Sequence, residues 1–154
     1  MNATLVRLDH IANASFDPSA THRFYTEVLA APLTLASSGT GDDGVGYLVV
    51  EYAFGGVSLA FLTYEGMRRV DDGLPDDIRH IAFTVHDATE LERWKARFVA
   101  AGVPFRTELH GEDDPHLYAV DPNGVVLEFA LPWLAGAGTA ERAAQTLGEW
   151  QASH

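Results

Sequence analysis

The sequence contains no cysteine. Disulfide staples, iron–sulfur clusters, zinc-finger sites and thiolate nucleophiles are excluded, so any metal ion has to be held by imidazole, carboxylate or other oxygen ligands. Cations are scarce as well. Ten Lys and Arg face 22 Asp and Glu, for a formal net charge of −12. A surface that negative repels phosphate backbones, so nucleic acid and anionic membranes are poor partners. No apolar run approaches the roughly 20 residues needed to span a bilayer. The opening residues, MNATLVRLDHIANAS, lack the basic segment and apolar stretch of a secretory signal, and a soluble, cytoplasmic protein is the expectation. Apolar residues make up 47% of the 154, enough for a core without cross-links in a chain of single-domain size.

The chain repeats itself. LDHIANASFDPSATHRFYTEVLAAPL in the first half answers IRHIAFTVHDATELERWKARFVAAGVPF in the second. Each starts with an alternating stretch around His-Ile-Ala, passes into a helical pattern and leaves through Pro-Leu or Pro-Phe. GGVSLAFL (Gly55–Leu62) and NGVVLEFA (Asn123–Ala130) supply a second match; His80 follows His10 by 70 positions and Glu128 follows Ala60 by 68. Two matches at nearly one offset argue for duplication. Each half reads as strand, helix, then three strands.

The expected boundaries are module 1 at about 4–64, a linker at 65–77, module 2 at about 78–132 and a final helix at about 139–151. Strand 1, about Leu5 to Ala14, places Val6, Leu8, His10 and Ala12 on the face read as buried. A helix over about Ser19 to Ala30 starts after Asp17-Pro18, SSGTGDDG (Ser37 to Gly44) reads as a loop, and strands cover about Gly46 to Tyr52 and Gly56 to Tyr64. In module 2, a strand at Ile78 to Val85 precedes a helix at Ala88 to Ala101 with the stripe Leu91, Trp94, Phe98 and Val99 and a left-handed cap at Gly102. Strands follow near Val103–Glu108, His116–Val120 and Val125–Ala130, the last two joined by the Asp121-Pro122-Asn123-Gly124 turn. The acidic linker residues Asp71, Asp72, Asp76 and Asp77 read as a solvated turn, and the last helix as an appended cap or dimer contact.

Three residues stand out. Glu128 lies inside an otherwise apolar strand, where an unpaired carboxylate costs several kcal/mol. His10 and His80 occupy equivalent places in two related modules, facing one another across a pseudo-two-fold axis. Together the three form a two-histidine, one-carboxylate set that leaves coordination positions open for substrate, as catalysis requires. Taken singly, each has an ordinary reading: a hydrogen-bonded strand histidine, or a solvent-facing glutamate.

The motifs LDHIA, RHIAF and DPNGVVLEF resemble those of the vicinal oxygen chelate superfamily over about residues 4–132. That superfamily includes glyoxalase I, extradiol dioxygenases, methylmalonyl-CoA epimerase, fosfomycin-resistance enzymes and bleomycin-binding proteins. The resemblance implies an α+β fold of two tandem βαβββ modules forming a half-barrel mixed sheet around a metal cavity. The ligand positions map onto His10, Ala60, His80 and Glu128, and Ala60 cannot ligate. Its glutamate or glutamine counterpart in glyoxalase-like and epimerase-like members weakens those readings. Two histidines and one carboxylate favour iron(II) or manganese(II), with zinc(II) and nickel(II) still compatible.

Extradiol enzymes carry a tyrosine ten residues before the last ligand, which is Tyr118 here. His116 shares its strand face and could act as acid or base, and His110 resembles, one residue out of register, a histidine that contacts substrate. The acid/base histidine which those enzymes place in module 1 is missing before Ser58. The expected activity is extradiol-like ring cleavage of an aromatic diol. Glyoxalase-type or fosfomycin-type lyase, isomerase, transferase or hydrolase chemistry is the alternative, with Glu51 as its candidate base against a plain reading as a solvent-facing residue. A drug-binding protein of the bleomycin-resistance type is the second alternative, against which the intact ligand set speaks. Phe54, Phe61, Tyr64 and Trp133 are the expected cavity wall, suited to an aromatic or apolar small molecule or, equally, to core and dimer packing. His22, His86 and His154 are expected in solvent, and a homodimer is compatible with the family.

Overall fold

The computed structural model describes residues 7–71, 73–75, 78–110, 113–132 and 140–153. In the first half, β1 (His10–Ala14) leads into α1 (Pro18–Arg23), which widens into a π turn at Phe24–Val28; β2 (Leu33–Thr40), β3 (Gly46–Phe54) and β4 (Val57–Tyr64) follow. The second half repeats this order as β5 (His80–Thr84), α2 (Ala88–Ala101), β6 (Phe105–Leu109), β7 (Pro115–Val120) and β8 (Val126–Ala130), and α3 (Ala140–Ser153) comes last. The strands build two sheets, ordered β1-β4-β3-β2 and β5-β8-β7-β6. In each, the first strand runs parallel to the last and the other pairs are antiparallel. The α+β class and tandem βαβββ arrangement therefore hold. No helix among the described residues is long and apolar enough to cross a membrane.

Local chemistry sets the helix ends. Asp17 Oδ1 accepts from the Ala20 amide at 2.9 Å, and Pro18 occupies the first turn, where its missing N–H costs nothing. At α2, the N-cap Asp87 Oδ1 accepts from the Glu90 amide and Glu90 Oε2 reaches back to accept from the His86 amide just before the cap, both at 2.9 Å. Gly102, at φ +65°, closes the helix in the left-handed conformation that its lack of a Cβ permits.

Each sheet buries one face under its own helix, and both buried faces belong to one core. Phe24, Tyr25 and Leu29 pack on Tyr52, Leu59 and Phe61; Leu91 and Phe98 pack on Leu117, Leu127 and Phe129. Removing each of these large side chains from water is worth about 2–3 kcal/mol. The halves then dock through each other's turns. From the β7–β8 turn, Asn123 Oδ1 accepts from the Phe16 amide at 3.0 Å, Asn123 Nδ2 donates to Thr21 Oγ1 at 3.0 Å, and the Tyr25 hydroxyl donates to Asp121 Oδ2 at 3.1 Å. From the β3–β4 turn, Phe54 meets Phe83 edge to face at 4.8 Å and Trp94 at 5.8 Å.

Several sequence expectations are corrected here. β1 begins at His10 rather than Leu5, and Arg7–Asp9 are not in the strand. Its faces are inverted as well: Ile11 packs on the core, whereas Leu8 is 61% exposed and His10 is exposed. Alternation separates two faces, but the apolar partners on β4, Leu59 and Phe61, decide which one turns inward. β2 runs on to Thr40, through half of the stretch read as loop. All eight of its residues are exposed, so backbone pairing with β3 holds it rather than an apolar pattern. Val99 lies in solvent, leaving Leu91, Trp94 and Phe98 as the α2 stripe. Of the acidic linker residues, only Asp71 lies among those described, and it is exposed.

Gly55 has φ +58°, and a Cβ built on it would stand 2.3 Å from the Phe83 ring; Gly56 has φ +81° but open space around it. Gly55→Ala should thus cost about 2–4 kcal/mol, from steric conflict added to backbone strain, and Gly56→Ala only about 1–2 kcal/mol. Urea unfolding midpoints of the two variants at unchanged slope check the difference.

Candidate metal centre

The outer face of the second sheet, away from α2, carries a polar row. Strand register sets Glu128 on β8 beside Ala82 on β5 and Tyr118 on β7, and Tyr118 beside Arg106 on β6. His80 lies two residues before Ala82 and His116 two before Tyr118, so both project from the same face. The DPNG turn sets this register: the Asp121 and Gly124 backbones close it, and Asp121 Oδ1 accepts from the Val125 amide at 2.7 Å.

The side chains on this row are joined. His80 Nε2 meets Glu128 Oε2 at 2.9 Å, and His116 Nδ1 contacts Glu128 Oε1. His116 Nε2 lies 3.2 Å from Asp114 Oδ2. The Tyr118 hydroxyl is 3.0 Å from His110 Nε2, and the His110 and His116 rings stack at 4.0 Å. The Arg106 guanidinium lies 4.5 Å over the Tyr118 ring, a cation–π contact. Glu128 is only 6% exposed, and His116 and Tyr118 are also buried; the His80 side chain, at 39%, is the open end of the cluster.

The electrostatics follow from this packing. Burial works against a His116 cation, yet hydrogen bonds and negative charge from Glu128 and Asp114 outweigh it, and the His116 pKa rises above its ordinary 6.5. Both its ring nitrogens face carboxylate oxygens, so the imidazolium satisfies both. Tyr118 is pushed up to about 12, by burial first and then by the Glu128 charge. It stays a neutral phenol at physiological pH.

The structure brings together five of the sequence candidates, His80, Glu128, His116, Tyr118 and His110. It does not bring in His10. That residue lies on the outer face of the first sheet, its side chain 46% exposed and its Nδ1 2.9 Å from Asp9 Oδ2. The His10 hydrogen bond and charge hold the Asp9 carboxyl below the usual range. Among the described residues, no three His, Asp or Glu side chains are arranged to hold an ion. One chain therefore presents two of the three expected ligands as a pair: a buried carboxylate and an imidazole on its open side. Glu51 is half-buried on the outer face of the first sheet, in register with Ala60, and accepts from Ser58 Oγ at 2.7 Å. It holds the place in sheet one that Tyr118 holds in sheet two.

Phe54 and Phe61 belong to the core and not to a cavity wall; Tyr64 is exposed, and Trp133 falls outside the described residues, as does His154. His86 is exposed, and His22 is exposed with its Nδ1 3.2 Å from the Tyr52 hydroxyl. Asp114 and Arg106 were missed by sequence reading. Asp114 was findable: it stands two residues before His116, the short spacing of a carboxylate that orients an imidazole.

A family model described as the Glyoxalase/Bleomycin resistance protein/Dioxygenase superfamily matches residues 7–129. No curated protein matches the chain in sequence. Among solved structures, it is similar to lactoylglutathione lyase from Agrobacterium tumefaciens, at 22% identity over 87% of this chain and 99% of the other, with TM-score 0.64. A glyoxylase/bleomycin resistance protein/dioxygenase domain from Frankia sp. EAN1pec aligns at 24% identity over 83% and 98%, also with TM-score 0.64. The fosfomycin resistance protein FosX from Listeria monocytogenes, complexed with Mn(II) and sulfate, aligns at 17% identity over 92% and 99%, with TM-score 0.61. At these identities the likeness is one of fold.

The raised His116 pKa carries a sign. Its contacts contribute stability that is fully present below about pH 6.5 and is lost as the pH rises through the higher folded-state value. In metal-free protein, the His116 imidazole should titrate above 6.5 by NMR, and Glu128→Gln and Asp114→Asn should each lower the midpoint. A wild-type midpoint below 6.5 would show that burial prevails.

Proposed function

The chain belongs to the glyoxalase/bleomycin resistance protein/dioxygenase superfamily, and from that premise we propose that it is a divalent-metal-dependent enzyme that cleaves the ring of an aromatic diol in the extradiol manner. The observation that carries this reading is the contact of His80 with the buried Glu128 carboxylate, beside the Tyr118–His110 pair on one sheet face. Iron(II) or manganese(II) suits the donor set of two imidazoles and one carboxylate. Such an ion, held by these residues, would supply Lewis-acid polarisation of a substrate oxygen.

In this reading, His80 and Glu128 hold the ion from one chain and His10 of a second copy supplies the third ligand. Within a chain, both helix-side sheet faces are taken up by the common core, so the two outer faces do not close on each other. A two-fold dimer that lays module 1 of one copy over module 2 of the other encloses a cavity between those faces, twice. The other residues keep to proton and position work. Tyr118, a neutral phenol, donates to a substrate oxygen, and His110 orients that hydroxyl. His116, held at both nitrogens, fixes the Glu128 carboxylate rather than transferring protons.

One observation favours a second reading. The Glu51–Ser58 pair puts a carboxylate on the outer face of sheet one, and a proton-abstracting isomerase or epoxide-opening enzyme needs such a base.

Protein purified without chelator or histidine tag should contain stoichiometric metal; none would point to a binding protein. Anaerobic iron(II) reconstitution with a catechol panel should give oxygen uptake and a yellow ring-cleavage product. Metal-loaded protein that takes up no oxygen with any diol shifts the assignment to the Glu51 chemistry. His10→Ala and Glu128→Ala should each abolish metal retention alone. Unfolded and refolded together in equal amounts, they should recover about one quarter of the wild-type sites, because half the dimers are mixed and each has one intact site. No recovery on mixing argues against the shared site.

A further inference from the structure

A groove of about 610 Å³ lies apart from the polar row, where the end of β1, the linker and the β7–β8 turn come together. None of the candidate ligands or catalytic residues lines it. Its wall is mixed: Phe16, Val70, Ile78 and Val125 supply apolar surface, and Asn13, Arg69, Arg79 and Asp71, whose carboxylate accepts from the Gly73 amide, supply polar surface. Two polar groups in the lining are unexplained by the fold.

The first is the Asn13 side-chain amide. Asn13 projects from the face of β1 opposite His10, alongside Ile11, and its Nδ2 is the one buried side-chain polar atom among the described residues without a hydrogen-bond partner. Leaving such a donor unpaired costs about 1–3 kcal/mol, and native folds seldom tolerate it without a partner from outside the chain. The neighbouring Asn123 amide is satisfied twice over, by Thr21 and Asp121. The second is Arg69. Its guanidinium lies directly over Gly124, so that a Cβ at that glycine would stand 2.4–2.6 Å from three of its atoms. The bare turn backbone gives the guanidinium its seat at the groove, and no carboxylate among the described residues pairs with it.

We propose that this groove is a second small-molecule site, specific for an organic acid with an apolar body. The planar Arg69 fork suits the two oxygens of a carboxylate, the Asn13 amide is a donor in the lining that still wants an acceptor, and the Phe16, Val70, Ile78 and Val125 side chains take the hydrocarbon. The volume is in the range of small-ligand sites. The site does not depend on the metal centre.

Isothermal titration of chelator-treated wild-type protein with octanoate tests it. Saturable binding of one octanoate per chain is expected, with no comparable binding of octanol, octylammonium or inorganic phosphate. Arg69→Gln, a change at an exposed position, should weaken octanoate about tenfold or more. Asn13→Val should weaken it as well and raise the thermal midpoint of the ligand-free protein, since the orphaned donor is gone. Glu128→Ala should leave octanoate affinity unchanged. Absent saturation, octanol binding as tightly as octanoate, or affinity insensitive to Arg69→Gln would each overturn the proposal. Loss of octanoate binding in Glu128→Ala would do the same, by placing the probe at the polar row.

Discussion

A carboxylate withdrawn from water has to be answered by charge, hydrogen bonds or a cation, and Glu128 is the residue that imposes this demand. One oxygen faces His80 and the other His116, and His116 is in turn anchored by Asp114. The rest of the outer face is arranged around that requirement. Tyr118 stands opposite Glu128 by strand register, Arg106 lies over its ring, and His110 takes up its hydroxyl. An apolar residue at 128 would leave His116 and Asp114 without a reason to converge.

The second constraint is that a β-sheet has only two faces. Both modules commit their helix-side faces to one continuous core and lock together through the Asp121–Asn123 and Phe54–Gly55 turns. This docking leaves the chemistry-bearing faces directed outward, with His10 on one and the His80–Glu128 pair on the other. The same packing that joins the modules keeps His10 apart from the His80–Glu128 pair within one chain.

Much of this was legible in the sequence, for identifiable reasons. The bounds of α2 follow from Asp87, Gly102 and the spacing of Leu91 and Phe98, all local signals. Tyr118 opposite Glu128 follows from the Asn-Gly turn, which fixes hairpin register. What was not legible depends on distant partners. Alternation in β1 does not say which face Leu59 and Phe61 will cover, and β2 has no pattern of its own because only β3 defines it. Pseudo-symmetry made His10 and His80 equivalent, but equivalence of position does not imply a shared site in one molecule.

β2 has a further consequence. It is the outer strand of its sheet, hydrogen-bonded to β3 on one side only, and all eight residues, LTLASSGT, are exposed. It contains none of the lysines, prolines or inward-pointing charges that usually blunt such a rim, and Pro32 guards only its entry. Its free backbone row is a template for strand addition. This margin is open to pairing with another strand, and a lysine on it would blunt it without touching the core or either polar face.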